Sequence, residues 1–515
     1  MSGPRTGTGG TLDGRRVAGG VVVNVAATLV VTALGFLLTM YLVRQLGASA
    51  FGAWVLVSSV LAYSSILDFG IGMTVMRFVA ELAHLPDRAE ANRLVSTAIV
   101  AFTGVGLVVL VAGMVAAPWL ASAFSIPEAE RADFVTAFRI STVALALTFP
   151  SAVWTAVLQG LQDFARLNAW IVGQAIAVMA AQIAVVAAGG GIVELALAGA
   201  AGAVVLLLGK RWTARRHGIR TSPRLAGMDT LRRIAGVSGW VFLLNVSGRL
   251  ILDTDAVLIG AMLGTAAVAA YQVALGPATA VRRAADQFNS VSLTAAASLR
   301  AQEDRRRLPD LLVEATRAVV CVFLPCIALL AAWGDQLLVL WVGPEFASSY
   351  ATLVVLTVGI LAIAVQGTAT QVLLAMERHR LVGLVAALEA CCNIALSIVL
   401  ARRMGIVGVA LGTLIPTAIV AFGITLPLAC RLVGVRVRDL AVRLVPPVLV
   451  SGGALVGMLA LERLGDFPNL IALVLAGAVV VPATLVACLL ADRAGRRTYL
   501  PMLQGLRRRG RLAHA

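Results

Sequence analysis

The sequence predicts an all-α polytopic membrane protein of about 14 transmembrane helices: two six-helix lobes related as a parallel internal repeat, plus two extra C-terminal helices. Three observations predict it. The 515 residues are 60% hydrophobic and only 13% charged, an apolar surplus that no single soluble core can bury. The apolar residues are gathered in runs long enough to cross a bilayer. The basic residues collect in every second connector between those runs.

Fourteen runs follow one another, at 18–43, 52–80, 94–118, 134–158, 167–189, 192–209, 233–262, 266–297, 313–333, 350–376, 382–401, 406–430, 444–462 and 469–491. The fifth and sixth are separated only by Gly189, Gly190 and Gly191, which predicts a tight hairpin. The first run is too long for the apolar region of a secretory signal, so Ala48-Ser49-Ala50 is no cleavage site and the run is an anchor. With the N-terminus inside, the inner connectors and tails hold 32 Lys and Arg residues and the outer connectors six. Both termini are therefore expected on the cytoplasmic side of the inner membrane. The net charge of +16 is then explained by topology and contact with anionic lipids, with no need for nucleic acid.

Two internal matches give the repeat. "LGASAFGAW" (Leu46 to Trp54) parallels "LGTAAVAAY" (Leu263 to Tyr271), and "GIVELAL" (Gly191 to Leu197) parallels "GIVGVAL" (Gly405 to Leu411), at offsets of 217 and 214 residues. Six helices per unit is an even number, so both copies keep one orientation. The expected organisation is a basic tail (1–17), an N-lobe (18–209), a basic cytoplasmic linker (210–232), a C-lobe (233–430), helices 13 and 14 (431–491) and a basic tail (492–515).

Several chemistries are excluded as expectations. The six cysteines lie in apolar runs without metal spacing, the four histidines do not cluster, and no phosphate-binding loop motif occurs. No cofactor, metal site or catalytic residue is expected, and the short outer connectors leave no room for a soluble catalytic domain.

The stretch Tyr41 to Leu82 resembles the opening signature of the polysaccharide flippase family, within the multidrug/oligosaccharidyl-lipid/polysaccharide exporter superfamily. Arg44, Leu46, Gly47, Phe51, Gly52, Asp68, Gly70, Arg77 and Phe78 carry the likeness. "DAVLIGAMLGTAAVAAYQVAL", "LWVGPEFASSYATLVVLTVG" and "RRMGIVGVALGTLIP" are similar to later family segments. The resemblance implies a non-enzymatic two-lobe transporter that moves undecaprenyl-pyrophosphate-linked oligosaccharide units to the outer leaflet for polysaccharide biosynthesis. Its expected partners are the lipid-linked oligosaccharide, anionic lipids, and polysaccharide polymerase and chain-length machinery. The family's lipid II branch has arginines in helix 1; here none lies between Arg16 and Arg44, which argues against lipid II.

Charges inside the spans mark candidate sites, because each costs about 2.5–3.5 kcal/mol at the bilayer centre on insertion scales. Arginine forks suit a pyrophosphate, so Arg282, Arg283, Arg249 and Arg77 are the candidate phosphate contacts. Asn289, Gln272 and Asn24 are the candidate sugar contacts. Glu389, Asn393, Asn245 and Asp253 offer carboxylate and amide oxygens for a coupling ion, Na+ or H+; some superfamily members resemble this in placing a cation site between helices 7 and 11. Alternatively, Arg249–Asp253 and Arg282–Asp286 pair within their helices and only join neighbours, and Arg77 snorkels to the headgroups. Asp255, near the outer end of its span, is expected to be wet. Other readings stay open: a drug or cation antiporter of the same superfamily, which predicts an acid-dominated cavity, and a membrane-embedded polymerase or ligase.

Overall fold

A computed structural model describes residues 14–63, 71–82, 88–124, 126–234, 239–301, 308–463 and 465–491. The chain is all-helical over them, and a helix occupies each of the fourteen predicted places. In order these are α1 (Gly14–Ala62), α2 (Ile71–Leu82), α3 (Ala89–Ala123), α4 (Glu128–Gly160), α5 (Phe164–Ala187), α6 (Ile192–Arg216) and α7 (Met228–Ile234). There follow α8 (Gly239–Leu263), α9 (Thr265–Ala301), α10 (Leu308–Trp341), α11 (Tyr350–Ala375), α12 (His379–Ala418), α13 (Leu426–Val433), α14 (Val437–Glu462) and α15 (Leu470–Leu490). Among the described residues, ten helical stretches are long and apolar enough to cross a bilayer. The chain is a multi-pass membrane protein.

On two occasions a single element holds two predicted spans joined at a sharp break. In α1 the break is at Gly47 (φ 76°) and in α12 at Gly405 (φ 58°). Both φ values lie in the left-handed region that residues other than glycine rarely adopt. Gly264, the counterpart of Gly47 in the internal repeat, has φ 87°, so the duplicated motif repeats its turn as well as its letters.

The chain divides into two compact units, 1–46 with 60–238 and 47–59 with 239–515. In the first unit a core of Val75, Leu94, Phe102, Phe149, Trp154, Val157 and their neighbours joins α2 through α6. Lys210, expected in the basic linker, belongs to this unit's interior. Helix α6 runs on to Arg216, and Gly209 leaves room for the Trp170 ring. Lys210 is thereby held at 5% exposure, its Nζ donating to Thr155 Oγ1 (2.9 Å) and Ser151 Oγ (3.3 Å) of α4. The linker proper begins at His217. Its backbone amides at Arg220, Ser222 and Gly227 donate to Asn92, Ser96 and Thr97 of α3.

In the second unit Phe323, Ala364, Val365, Ala369, Leu373 and Cys430 centre a core from α10, α11 and α13. Residues 47–59 pack into this unit. Ser49 Oγ lies 3.1 Å from Thr265 Oγ1, and a Cβ on Gly52 would overlap the Thr265 carbonyl, so the two copies of the repeat motif touch. The two halves of α12 fold back on each other. Gly412 and Gly408 permit this, because a Cβ on either would strike Ser397 or Leu400 of the first half.

Candidate functional site

The tight α12 hairpin brings a ladder of polar side chains into the second unit. Glu389, Asn393 and Ser397 recur every four residues and therefore share one face of the first half. Thr417, Thr413 and the Val409 carbonyl stand opposite them on the second half. Thr417 Oγ1 donates to Glu389 Oε1 (2.9 Å), Asn393 Nδ2 donates to Thr413 Oγ1 (2.9 Å), and Ser397 Oγ donates to the Val409 carbonyl (3.4 Å).

Helix α8 adds a second carboxylate to this ladder. Asp255 accepts from Thr413 Oγ1, at 3.1 Å to Oδ2 and 3.3 Å to Oδ1, and from the hydroxyl of Tyr271 on α9. It is 4% exposed. The expectation of a wet Asp255 is therefore corrected. The span ends where α8 turns at Gly264 into α9, and that turn folds Tyr271 over the carboxylate.

The cluster is short of donors. Among the described residues no basic side chain pairs with Asp255 or Glu389. Asn393 is completely buried, and its amide oxygen Oδ1 has no hydrogen-bond partner. The Asp255 carboxylate and the Thr413 hydroxyl are bonded to each other, the Val409 carbonyl is 3.5 Å from that hydroxyl, and the Asn393 side chain that donates to it carries an unpartnered amide oxygen, where buried polar atoms ordinarily demand partners. Such an oxygen-only donor set suits a hard cation or a proton. The Asn393 oxygen, needing a donor or a cation, is what makes the set fit an ion.

The other sequence candidates fall as follows. Asp253 lies on a different face of α8, where Arg249 NH1 pairs with its Oδ2 at 3.4 Å in an exposed i, i+4 contact. Arg283 is exposed and Arg282 half-buried on α9, and Gln272 is half-buried about two turns past the start of that helix. Arg77 is exposed on α2 and pairs with Glu81 at 2.9 Å. The side chains of Asn24, Asn245, Asp286 and Asn289, and Asp68 as a whole, lie outside the described residues. The structure therefore joins Glu389 and Asn393 in one ladder and leaves Asp253 out of it. It adds Asp255, Tyr271, Thr413, Thr417 and Gln366. The spacing 413–417 repeats that of 389–393, a signal present in the sequence; Asp255 and Tyr271 had no local one.

Residues 41–351 match the family described as polysaccharide biosynthesis protein. The chain is 24% identical over 328 residues to the uncharacterized membrane protein EpsK of Bacillus subtilis (strain 168), an alignment covering 63% of this chain and 65% of that one, just under two thirds of its length. It is 21% identical over 381 residues to the "Putative O-antigen transporter" of Shigella flexneri, covering 72% and 88%. Among solved structures, the lipid II flippase MurJ in an inward closed conformation superposes with a TM-score of 0.69 at 13% identity, over 94% of this chain and all of that one. An inward-facing multidrug resistance MATE family transporter of the MOP superfamily gives 0.66 at 14% identity, over 80% and 98%. At such identities the likeness establishes the fold. With its family match spanning more than half its length, the chain belongs to the polysaccharide biosynthesis protein family, and its fold is that of the MOP superfamily transporters.

Proposed function

We propose that this protein is a flippase, not an enzyme, that carries undecaprenyl-pyrophosphate-linked oligosaccharide from the inner to the outer leaflet of the cytoplasmic membrane, driven by a cation gradient through alternating access. Both termini are cytoplasmic in this reading. The observation that carries it is the sorting of charge in the second unit. Its arginines on α8 and α9 lie at or near the surface of membrane-depth helices, while its unpaired carboxylates are sealed inside. Arg282 stands seventeen residues past the start of α9, about 26 Å along the helix, and its guanidinium offers the fork that suits a compact phosphate-bearing passenger. A drug or cation antiporter would reverse that sorting. The family's name and the O-antigen transporter relative support a glycan passenger.

The coupling ion is held by Asp255, Thr413 and Asn393, with the Val409 carbonyl adjacent. Sodium fits the orphaned amide oxygen best; a proton on Asp255 is the other form of the same reading. Arg282, Arg283, Arg249 and Arg77 contact the pyrophosphate, and Gln272, Asn289 and Asn24 contact sugar hydroxyls. A polysaccharide polymerase with its chain-length machinery consumes the product, and anionic lipids bind the basic cytoplasmic connectors.

Deleting the gene is expected to make undecaprenyl-linked glycan accumulate. Complementation with Arg282→Ala plus Arg283→Ala should leave most of that accumulation in place; wild-type polymer export from the double variant would reject the phosphate assignment. Purified protein that joins glycan units in detergent would instead establish the polymerase or ligase reading.

A further inference from the structure

Glu389 has surroundings that cation binding at Asp255 leaves unused. Its second oxygen accepts from Gln366 Nε2 of α11 at 2.6 Å. It shares no hydrogen-bond partner with Asp255, whose cluster begins a turn further along α12 at Asn393. Gln366 also lines a small void of about 40 Å³ between α11, α12 and the π-helical turn Ile419–Thr425; Thr370 and Thr425 are its other polar walls. Thr425 is 4% exposed, and its hydroxyl has no hydrogen-bond partner. A buried water needs only about 10–15 Å³ and a few polar partners, so the void is both large enough and polar enough to hold one. It lies toward the His379 end of the unit. Val382 and Ala386, two turns and one turn before Glu389, form part of its wall, as does Leu373 near the end of α11.

On its other flank Glu389 borders an apolar groove of about 450 Å³ between the two halves of α12. The lips of this groove, Leu388, Val399 and Ile419, are exposed at the lipid-facing surface. Among the described residues, the polar approach to Glu389 is the one through Gln366, which both bonds its carboxylate and lines the void.

We infer that Glu389 is a proton-binding station distinct from the cation site at Asp255, supplied through a water-filled chamber formed by Gln366, Thr370 and Thr425 at the His379 end of the second unit. The inference rests on the ion-coupled reading above and makes it a two-ion mechanism. Both partners of Glu389 are reversible. The Thr417 hydroxyl can turn from donor to acceptor, and the Gln366 amide can present its oxygen, so the pocket accommodates the carboxylate and the acid alike. A guanidinium in their place would hold the charged form only. The ionisable groups on the packed elements do not supply one. Among the described residues α8 brings Asp255 and the mutually paired Asp253 and Arg249, and α9 brings Tyr271, which is engaged with Asp255, and further along Arg282 and Arg283, neither of which pairs with Glu389. Helix α11 beyond Tyr350, the second half of α12 and the π-helical turn bring none. On its own helix, His379 and Arg380 lie at one end, Arg402 and Arg403 toward the other, and Cys391 and Cys392 face outward.

The test uses full-length protein in lipid nanodiscs and dicyclohexylcarbodiimide. The central carbon of this apolar reagent takes an oxygen of a protonated carboxyl while the acid proton passes to a nitrogen. Glu389 is expected to be labelled at acidic pH, less so as pH rises, and not in Glu389→Gln. Labelling is expected to persist in Asp255→Asn and to be unaffected by sodium at a concentration that saturates 22Na+ binding. Thr425→Val keeps the shape of the side chain but removes the hydroxyl, and is expected to slow the response of labelling to a pH jump about tenfold, or ~1.4 kcal/mol. Absence of labelling at every pH, or sodium protection that disappears in Asp255→Asn, would merge Glu389 into a single cation site and overturn the inference. An unaltered pH-jump response in Thr425→Val would overturn the chamber. If sodium fails to bind while Glu389 labels as expected, the sodium reading falls and the proton station stands.

Discussion

Asp255 illustrates how one residue acquires a role from partners far away in the chain. A carboxylate sealed among apolar helices is costly unless paired, and the two hydroxyls that reach it, from Tyr271 and Thr413, stabilise its charge without cancelling it. Asp255→Asn removes the charge and keeps the shape. It is expected to weaken 22Na+ binding at least tenfold, about 1.4 kcal/mol, while the protein stays folded by gel filtration; unchanged binding would eliminate Asp255 as a ligand. In the other unit Asp163 caps α5 and takes His217 Nε2 at 2.7 Å and Arg166 NH1 at 3.0 Å. Partial burial pushes its carboxyl up, but the hydrogen bonds from His217 and Arg166 outweigh that and leave it below the ordinary Asp value. A lowered value in the folded state means stability that is complete above about pH 4 and lost as pH falls through the folded value. Asp163→Asn should therefore lower the melting temperature at pH 7 and converge on wild type at the acid end of the scale, as measured by thermal unfolding in detergent.

At the scale of an element, the α12 hairpin depends on glycine where its halves touch and on Pro416 and the π-helical turn where they part. Close packing at Gly408 and Gly412 aligns the polar ladder; the extra residue of the π turn opens both the groove and the chamber. Gly412→Val is expected to destabilise the protein by about 1–3 kcal/mol through overpacking against Ser397, seen as a drop in melting temperature, with cation binding lost in parallel. A Gly453→Val control, at a position with open space around its Cα, should leave both unchanged. The sequence made part of this element legible. Glu389 and Asn393 stood out because four-residue spacing puts them on one face and no basic residue accompanies the carboxylate in its span. Asp255 was misjudged because its partner Thr413 is 158 residues away, and position along a span says nothing about a neighbour contributed by another helix. Lys210 was misplaced for a related reason: apolar content fades before the helix ends, so the last turns of α6 looked like linker.

At the scale of the whole molecule, helix number and order were legible because each span must satisfy its own backbone within lipid, which forces about twenty apolar residues to be written contiguously. The expected sidedness rests on charge, 32 basic residues against six, a bias that the sequence keeps through fourteen alternations. That bias makes a definite prediction about two exposed connectors. The one around Arg220 lies between α6 and α7 and is expected to be cytoplasmic; the one around Gly465 lies between α14 and α15 and is expected outside. With Cys391 and Cys392, the two exposed native cysteines, replaced by Ala, Gly465→Cys should react with a membrane-impermeant maleimide in intact cells. Arg220→Cys should react only after the membrane is opened. The reverse pattern would place the chamber beneath Glu389 on the outer side, so that protons would enter from the opposite compartment and the gradient would drive the cycle in the other direction. Labelling of both positions in intact cells would mean that an even number of crossings separates them instead of the seven expected, and that the six-helix repeat followed by two further spans does not hold.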